Sequence, residues 1–152
     1  MKNNEKVCET LNDLIQINND RIEGYERASK ETDDVDADLR ALFGRMADES
    51  RQYNAELTAA VTRQGCEPAT DTTVRGKIYR VWMDVKATFT GKDRKSVLSS
   101  CEYGEDAAQR AYESALKEEE LTGDFRDLVM RQKAALKASH DLIRRQRDAQ
   151  PA

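Results

Sequence analysis

The chain has 152 residues, of which 36% are charged and 6% aromatic, and its formal net charge at pH 7 is −4. One domain over residues 1–152 is the simplest division of this length. The acidic balance argues against general affinity for nucleic acid. No apolar run follows the polar residues Met1–Lys6, and no stretch approaches the roughly 20 apolar residues of a membrane span. We therefore predict no signal peptide and no membrane insertion, and expect a cytoplasmic protein.

Two long amphipathic helices are predicted in the first half of the chain. The first runs from about Asn3 to Lys30, because apolar residues recur at spacings of three and four along it, namely Val7, Leu11, Leu14, Ile15, Ile22 and Tyr25. The second runs from about Ala37 to Gln64, with Gly65 as its C′ residue. The stretch Asp33–Asp36 reads as a short turn in which Asp36 or a neighbour caps the second helix. These two helices should form an antiparallel hairpin.

A shorter helix and two more long helices are predicted after this hairpin. The apolar residues of the short helix are Val74, Ile78, Val81, Trp82, Val85 and Phe89. The third long helix, for which Asp93 is a candidate cap, runs to about Glu119, and the fourth runs from about Asp124 to Asp148. The break at 122–124 separates them and predicts a second hairpin.

The predicted fold is all-α: a ferritin-like four-helix bundle with a short extra helix in the long connection between helices two and three. A tight hairpin, a long connection and a second tight hairpin follow one another in that arrangement, and the long connection returns the third helix parallel to the second. A simple up-down bundle with a broken third helix is the alternative topology.

The three cysteines, Cys8, Cys66 and Cys101, are far apart, and no Cys-x-x-Cys pair supports a zinc site or dithiol redox chemistry. Cys8 and Cys101 lie on apolar helix faces, so we expect them to be small core residues. Cys66 follows Gly65 in a loop and is the expected exposed thiol.

Three stretches of the chain carry a family resemblance. They are LNDL at 11–14 continuing to NNDRIEGY at 18–25, GKIYRVW at 76–82, and EYGEDAAQRAY at 102–112 with HDLI at 140–143. Together they resemble a bacterial family of ferritin-like four-helix-bundle proteins with a rubrerythrin-like bundle, catalogued as a domain of unknown function and common in proteobacteria. The resemblance covers nearly the whole chain. It implies a ferritin-like fold, no established activity and no catalytic residues.

Each long helix places a polar residue on its apolar seam near mid-helix, the set being Asn18, Ser50, Glu105 and Gln132 or His140. A polar layer at one level of a bundle core is typical of a metal or cofactor site. A ferritin-type di-iron site takes one Glu from each of two helices and Glu-x-x-His from each of the other two. No helix here has that spacing, and Tyr53 and Lys137 stand where ligands would be expected.

Two functions remain open on these residues. The first is a non-enzymatic bundle that needs no cofactor and acts through protein contacts in a stress setting, as a homodimer or with a helical partner. In that case Glu105 and His140 form a buried hydrogen-bonded pair, and the network is completed by Asn18, Ser50, Tyr53 and Gln132. The second function is iron or manganese binding by a nonstandard set consisting of Glu23, Glu26, Glu49, Glu105 and His140.

Overall fold

A computed structural model of the chain describes residues 2–31, 36–73 and 94–150. Within these ranges the protein consists of four helices, α1 (Lys2–Glu31), α2 (Ala37–Arg63), α3 (Arg94–Leu116) and α4 (Gly123–Asp148). The predicted short helix over 74–89 and the cap at Asp93 lie outside the described residues. None of the described helices combines the length and the apolar character that a membrane span requires.

Helices α1, α2 and α4 have nearly the predicted bounds, but α3 ends at Leu116 instead of near Glu119. The chain tightens there, because the N–H groups of Lys117 and Glu118 donate to carbonyl groups only three residues back. Leu121 then turns inward and is fully buried. The turn between α3 and α4 is therefore anchored to the core by a leucine.

The directions of the helices follow from the contacts between them. The contacts that define them are Asn4–Gln64 and Ser29–Arg40 for α1 and α2, Glu102–Arg147 and Gln109–Lys133 for α3 and α4, and Asn18–Tyr112 and Tyr25–Glu105 for α1 and α3. In each pair, residue numbers rise on one helix as they fall on the other. Since α1 is antiparallel to both α2 and α3, α2 and α3 are parallel. The predicted long connection is confirmed, and the up-down alternative is wrong.

The apolar core is divided into two clusters. Members of the first include Leu11, Leu14, Leu57, Val61, Tyr112, Val129 and Leu136. Members of the second include Tyr25, Leu39, Phe43, Met46, Leu98, Cys101 and Ile143. Between them lie buried polar side chains from all four helices, namely Asn18, Arg21, Ser50, Glu105, Gln132 and Ser139. The predicted mid-bundle polar layer is therefore present.

Helix α2 ends in a Schellman motif centred on Gly65. Gly65 has a φ of 79°, and its N–H donates to the Thr62 carbonyl at 2.9 Å while the Cys66 N–H donates to the Val61 carbonyl at 3.2 Å. Glycine adopts this left-handed conformation at little cost, so the predicted role of Gly65 is confirmed. The motif turns the chain back toward α1.

Cys66 is joined to Cys8 by a disulfide bond, so the expectation of an exposed thiol at Cys66 is wrong. Cys8 is buried as expected, and Cys101 is a buried free thiol in the core. The disulfide links residues 58 positions apart, and such a bond typically raises the free energy of unfolding by about 2–4 kcal/mol. The sequence predicted the loop position of Cys66 but not the direction in which the chain leaves Gly65, which brings Cys66 back to Cys8 on α1.

After the disulfide, residues 67–73 run along α1 and are held by its polar side chains. Asn12 accepts from the Ala69 N–H at 2.8 Å, and Gln16 donates to Asp71 at 2.8 Å. Asp20 accepts from both the N–H and the hydroxyl of Thr73. The beginning of the long connection is thus fixed on the outer face of α1.

The Asp20 carboxyl should make this attachment pH-dependent. Its pKa is raised to about 6, chiefly by burial and secondarily by Glu23 and Asp71, although the hydrogen bonds from Thr73 oppose the shift. The folded protein therefore holds this proton more tightly than the unfolded chain, so the associated stability is complete below about pH 4 and lost as pH rises through 6. We predict that Asp20→Asn, which keeps an oxygen acceptor, is more stable than wild type at pH 7.5 by about 1–2 kcal/mol.

Urea unfolding at pH 4.5 and 7.5 checks this expectation, with the exposed Asp127→Asn as the matched control. The gain should shrink at the lower pH. An Asp20→Asn gain that is equal at both pH values would contradict it.

Candidate functional site

The centre of the polar layer is occupied by Arg21, whose side chain is fully buried. Its Nε and Nη2 donate to the Glu105 carboxylate at 2.8–3.2 Å, and Nη1 donates to the Ser50 hydroxyl at 2.8 Å and to the Met46 carbonyl at 3.1 Å. Nη2 also lies 3.0 Å from Glu49. The guanidinium thus connects α1 with α2 and α3 through a planar fork of donors.

The electrostatics of this centre keep it charged. Burial alone would favour neutral groups, yet the pKa of Arg21 is raised because Glu105, Tyr25 and Glu49 favour its cationic form. Tyr25 donates to Glu105 at 2.6 Å, and burial followed by the Glu105 charge raises the pKa of that phenol well above its usual value. Glu105 is therefore a carboxylate held by a cation and a neutral hydroxyl.

A chain of hydrogen bonds extends from Arg21 across the bundle. The Ser50 hydroxyl donates to Asn18, the Asn18 amide donates to Tyr112, and the Tyr112 hydroxyl donates to Gln132, each at 2.8 Å. The Gln132 amide then donates to the Tyr53 carbonyl at 3.2 Å and to Glu56 at 3.0 Å. Every buried side chain in this series of hydrogen bonds has a partner, so the layer specifies one register for all four helices.

This layer does not fit a resident metal ion. Both oxygens of Glu105, its one fully buried carboxylate, accept hydrogen bonds from Arg21 or Tyr25. A metal bound there would meet the Arg21 guanidinium at hydrogen-bonding distance, and the two cations would repel. The predicted pair of Glu105 with His140 is replaced by these contacts, whereas the network through Asn18, Ser50 and Gln132 is confirmed. Tyr53, the fourth predicted member, joins it through its backbone carbonyl.

The five side chains predicted as a metal set are distributed over several places. Glu23 is exposed on α1, and Glu26 pairs with Arg51 of α2. Glu49 lies at the edge of the polar layer, where it contacts Arg21 and accepts from the Ser139 hydroxyl at 2.8 Å. Glu105 belongs to the Arg21 centre, and His140 contacts a different group of carboxylates.

That group is a cluster of Glu102 and Asp106 on α3 with His140 on α4. Each offers one ligand atom, and these atoms lie within 4.8 Å of one another. The four-residue spacing of Glu102 and Asp106 places both on one face of α3. His140 is only 6% exposed, while the side chain of Asp106 is 43% exposed and leaves the cluster open to water on one side.

The orientation of His140 is set by Asp141, whose oxygen lies 3.0 Å from Nδ1. The pKa of Asp141 is lowered to about 2, first by the hydrogen bond with His140 and then by Lys137. An Nδ1–H that donates to this carboxylate leaves a lone pair on Nε2. Nε2 is 2.6 Å from Asp106 Oδ1 without hydrogen-bond geometry, and it has no hydrogen-bond partner among the described residues. Two acceptors this close require a proton or a metal ion between them.

Glu102 also belongs to a basic group at the end of α4. Its Oε1 lies 3.7 Å from His140 Nε2 and 3.5 Å from Arg144 Nε, while its Oε2 contacts Arg147. The Glu102 side chain is only 13% exposed. One largely buried carboxylate is thus shared between the histidine cluster and two arginines.

The sequence patterns missed Arg21, Glu102 and Asp106. Arg21 lies three residues after Asn18 and four before Tyr25, so the helical spacing places it on the seam, although that spacing alone does not indicate a buried cation. Glu102 and Asp106 flank the seam residue Glu105 and are on the side of α3 that faces α4. That placement depends on the rotation of α3 within the bundle, which the sequence pattern does not specify.

Removal of the Arg21 charge should be costly. Arg21→Met leaves Glu105 buried and unpaired, so we predict a loss of about 3–5 kcal/mol in the free energy of unfolding. Replacing both charges in Arg21→Met/Glu105→Leu should recover much of that loss, because no buried charge then lacks a partner. Urea unfolding of both variants checks this, with exposed Arg110→Met as the control. A double variant no more stable than Arg21→Met would refute the pairing.

Comparison with known proteins supplies the family of this chain. No curated protein matches the sequence at a significant level. A family model does match residues 6–118, which include nearly all of α1 and the whole of α2 and α3. The chain belongs to the family described as a domain of unknown function (DUF2383).

Proposed function

We propose that this protein is a non-enzymatic helical bundle that binds one divalent cation between α3 and α4, through Glu102, Asp106 and His140. The observation that carries the proposal is the buried Nε2 of His140, which faces two carboxylates without a hydrogen-bond partner among the described residues. Two carboxylate oxygens and one imidazole nitrogen form a ligand set suited to Mn²⁺, Fe²⁺ or Zn²⁺.

The surroundings support a ligand role for His140. A metal-binding histidine usually donates its second N–H to a carboxylate, which fixes the ring and strengthens the ligand nitrogen. Asp141 is placed to do this. The open side at Asp106 would let water complete the coordination. Protons and metal ions compete for Nε2, so binding should weaken as the solution becomes more acidic.

The core argues for a binding role in place of oxidase chemistry. The parallel arrangement of α2 and α3 and the mid-bundle polar layer support a ferritin-like relationship as part of this proposal. In such bundles metal chemistry takes place in the core. Here the Arg21 guanidinium pairs with Glu105 where a metal ion would otherwise lie, so we assign the core a structural role.

A Mn²⁺ titration followed by electron paramagnetic resonance tests the proposal. We expect one ion per chain, and His140→Ala and Asp106→Asn should each weaken binding by about 10-fold or more. The matched control is Glu26→Gln, because Glu26 pairs with Arg51 outside the cluster. Wild-type protein that binds no Mn²⁺, Fe²⁺ or Zn²⁺ would refute the proposal. Loss of binding in Glu26→Gln with retention in Asp106→Asn would favour the set predicted from the sequence, which contains Glu26 but not Asp106.

A second candidate function is protein contact through a groove between α1 and α3, with a volume of about 630 Å³. Its apolar lining consists of Leu14, Ile17, Ala107, Ala111 and Ala115. Asp13 lies on the α1 side and Arg110 on the α3 side, and the pKa of Asp13 is raised by burial and then by Glu9. Each side also carries the opposite charge, Lys6 on the α1 side and Glu118 on the α3 side. We propose a homodimer in which a second copy, related by a two-fold axis, covers the apolar lining.

Light scattering over a range of concentrations tests this second candidate. We expect a concentration-dependent dimer, weakened about 10-fold or more by Ala111→Arg, because a long charged side chain would fill the groove. Ala134→Arg on the exposed surface of α4 is the control. A monomer at every concentration would rule out the homodimer.

A further inference from the structure

Each oxygen of the Glu102 carboxylate has basic residues beside it. Its Oε1 faces His140 and Arg144, and its Oε2 contacts Arg147. Arg147 also lies 2.9 Å from Asp148, which is 60% exposed and on the same turn. Arg147 therefore keeps an acidic partner even when it leaves Glu102.

Arg147 holds the last turn of α4 against α3. The N–H groups of Ala149 and Gln150 donate to the Arg145 and Arg147 carbonyls at 3.0 and 3.1 Å. The Gln150 side chain accepts from Arg94 Nε at 3.1 Å, where α3 begins. Arg147–Glu102 and Gln150–Arg94 are thus two side-chain contacts that join residues 147–150 to α3.

A single carboxylate cannot fully satisfy a divalent cation and two guanidinium groups at once. An ion bound at Glu102, Asp106 and His140 would draw on the same charge that holds Arg147 and would repel the guanidinium. Such opposition between two ligands is reciprocal: if Arg147 weakens binding of the ion, the ion weakens the Arg147 contact by the same factor.

We propose that a divalent cation and the Arg147 guanidinium compete for Glu102, so that filling the cation site weakens the attachment of the last turn of α4 to α3. This inference rests on the cation site proposed above. It assigns that site a regulatory output: binding of an ion between two helices loosens residues 147–150 at the end of the bundle.

The test compares Mn²⁺ affinity in untagged wild-type protein, Arg147→Gln and Arg145→Gln at one salt concentration. Arg145 is the matched control, because it has the same charge and lies on the same turn but is not among the contacts of Glu102. We expect Arg147→Gln to bind Mn²⁺ about 5-fold more tightly, near the lower end of common coupling strengths, and Arg145→Gln to match wild type. Arg144→Gln should give a smaller gain, because its contact is longer.

Hydrogen exchange of the peptide containing residues 147–150 provides the second readout. Mn²⁺ should speed exchange in wild type, and Arg147→Gln should exchange fast with or without the ion. Equal Mn²⁺ affinity in wild type and Arg147→Gln, with binding still lost in His140→Ala, would overturn the competition and leave the cation site standing. Wild-type protein that binds none of Mn²⁺, Fe²⁺ and Zn²⁺ would overturn both.

Discussion

The buried pair of Arg21 and Glu105 is the interaction on which the arrangement of this bundle depends. A guanidinium removed from water must have its donors satisfied. The partners of Arg21 are Ser50 and Glu49 on α2 and Glu105 on α3. Ser50, Asn18, Tyr112 and Gln132 extend the same network to α4. Slipping any helix by one turn would leave a buried polar group without a partner. The pair therefore specifies the register more than it adds net stability.

The same pair decides which chemistry the core can host. The charge of the Glu105 carboxylate is already balanced by Arg21, and its oxygens accept hydrogen bonds from Arg21 and Tyr25, so it is a poor ligand for a metal ion. The carboxylate–histidine group at Glu102, Asp106 and His140 lies on the side of α3 that faces α4, and there Glu102 contacts Arg144 and Arg147. There the histidine is buried, while one carboxylate remains in contact with water. The contrast between a core in which both Glu105 oxygens accept hydrogen bonds and a rim with a hydrated Asp106 and an unpartnered His140 Nε2 among the described residues underlies the proposed cation site.

The ends of the bundle are held by different means. At one end, the Schellman turn at Gly65 and the Cys8–Cys66 disulfide attach the start of the long connection to α1. At the other end, Arg94 of α3 pairs with Asp36 and Asp38 at the start of α2, and the Gln150 side chain accepts from Arg94. The first end is covalently closed, whereas the second depends on partly exposed ion pairs that a competing cation can disturb.

The four long helices, most of their bounds and the mid-bundle polar layer followed from the sequence, because apolar spacing and a helix-ending glycine are local properties. The end of α3 and the cap at Asp36 did not, since α3 ends at Leu116 and the Asp36 side chain makes no cap hydrogen bond. The stripe through Leu11 and Leu14 predicted α1, and Gly65 predicted the end of α2. The sequence also contained the seam position of Arg21, between Asn18 and Tyr25, although apolar spacing alone does not draw attention to a buried cation. Only the tertiary structure decided that Glu105 pairs with Arg21, that His140 meets Glu102 and Asp106, and that Cys8 meets Cys66. Those pairings depend on how each helix is rotated about its axis and on the direction in which a loop leaves a helix. Both are determined by packing between distant segments, which no local pattern records.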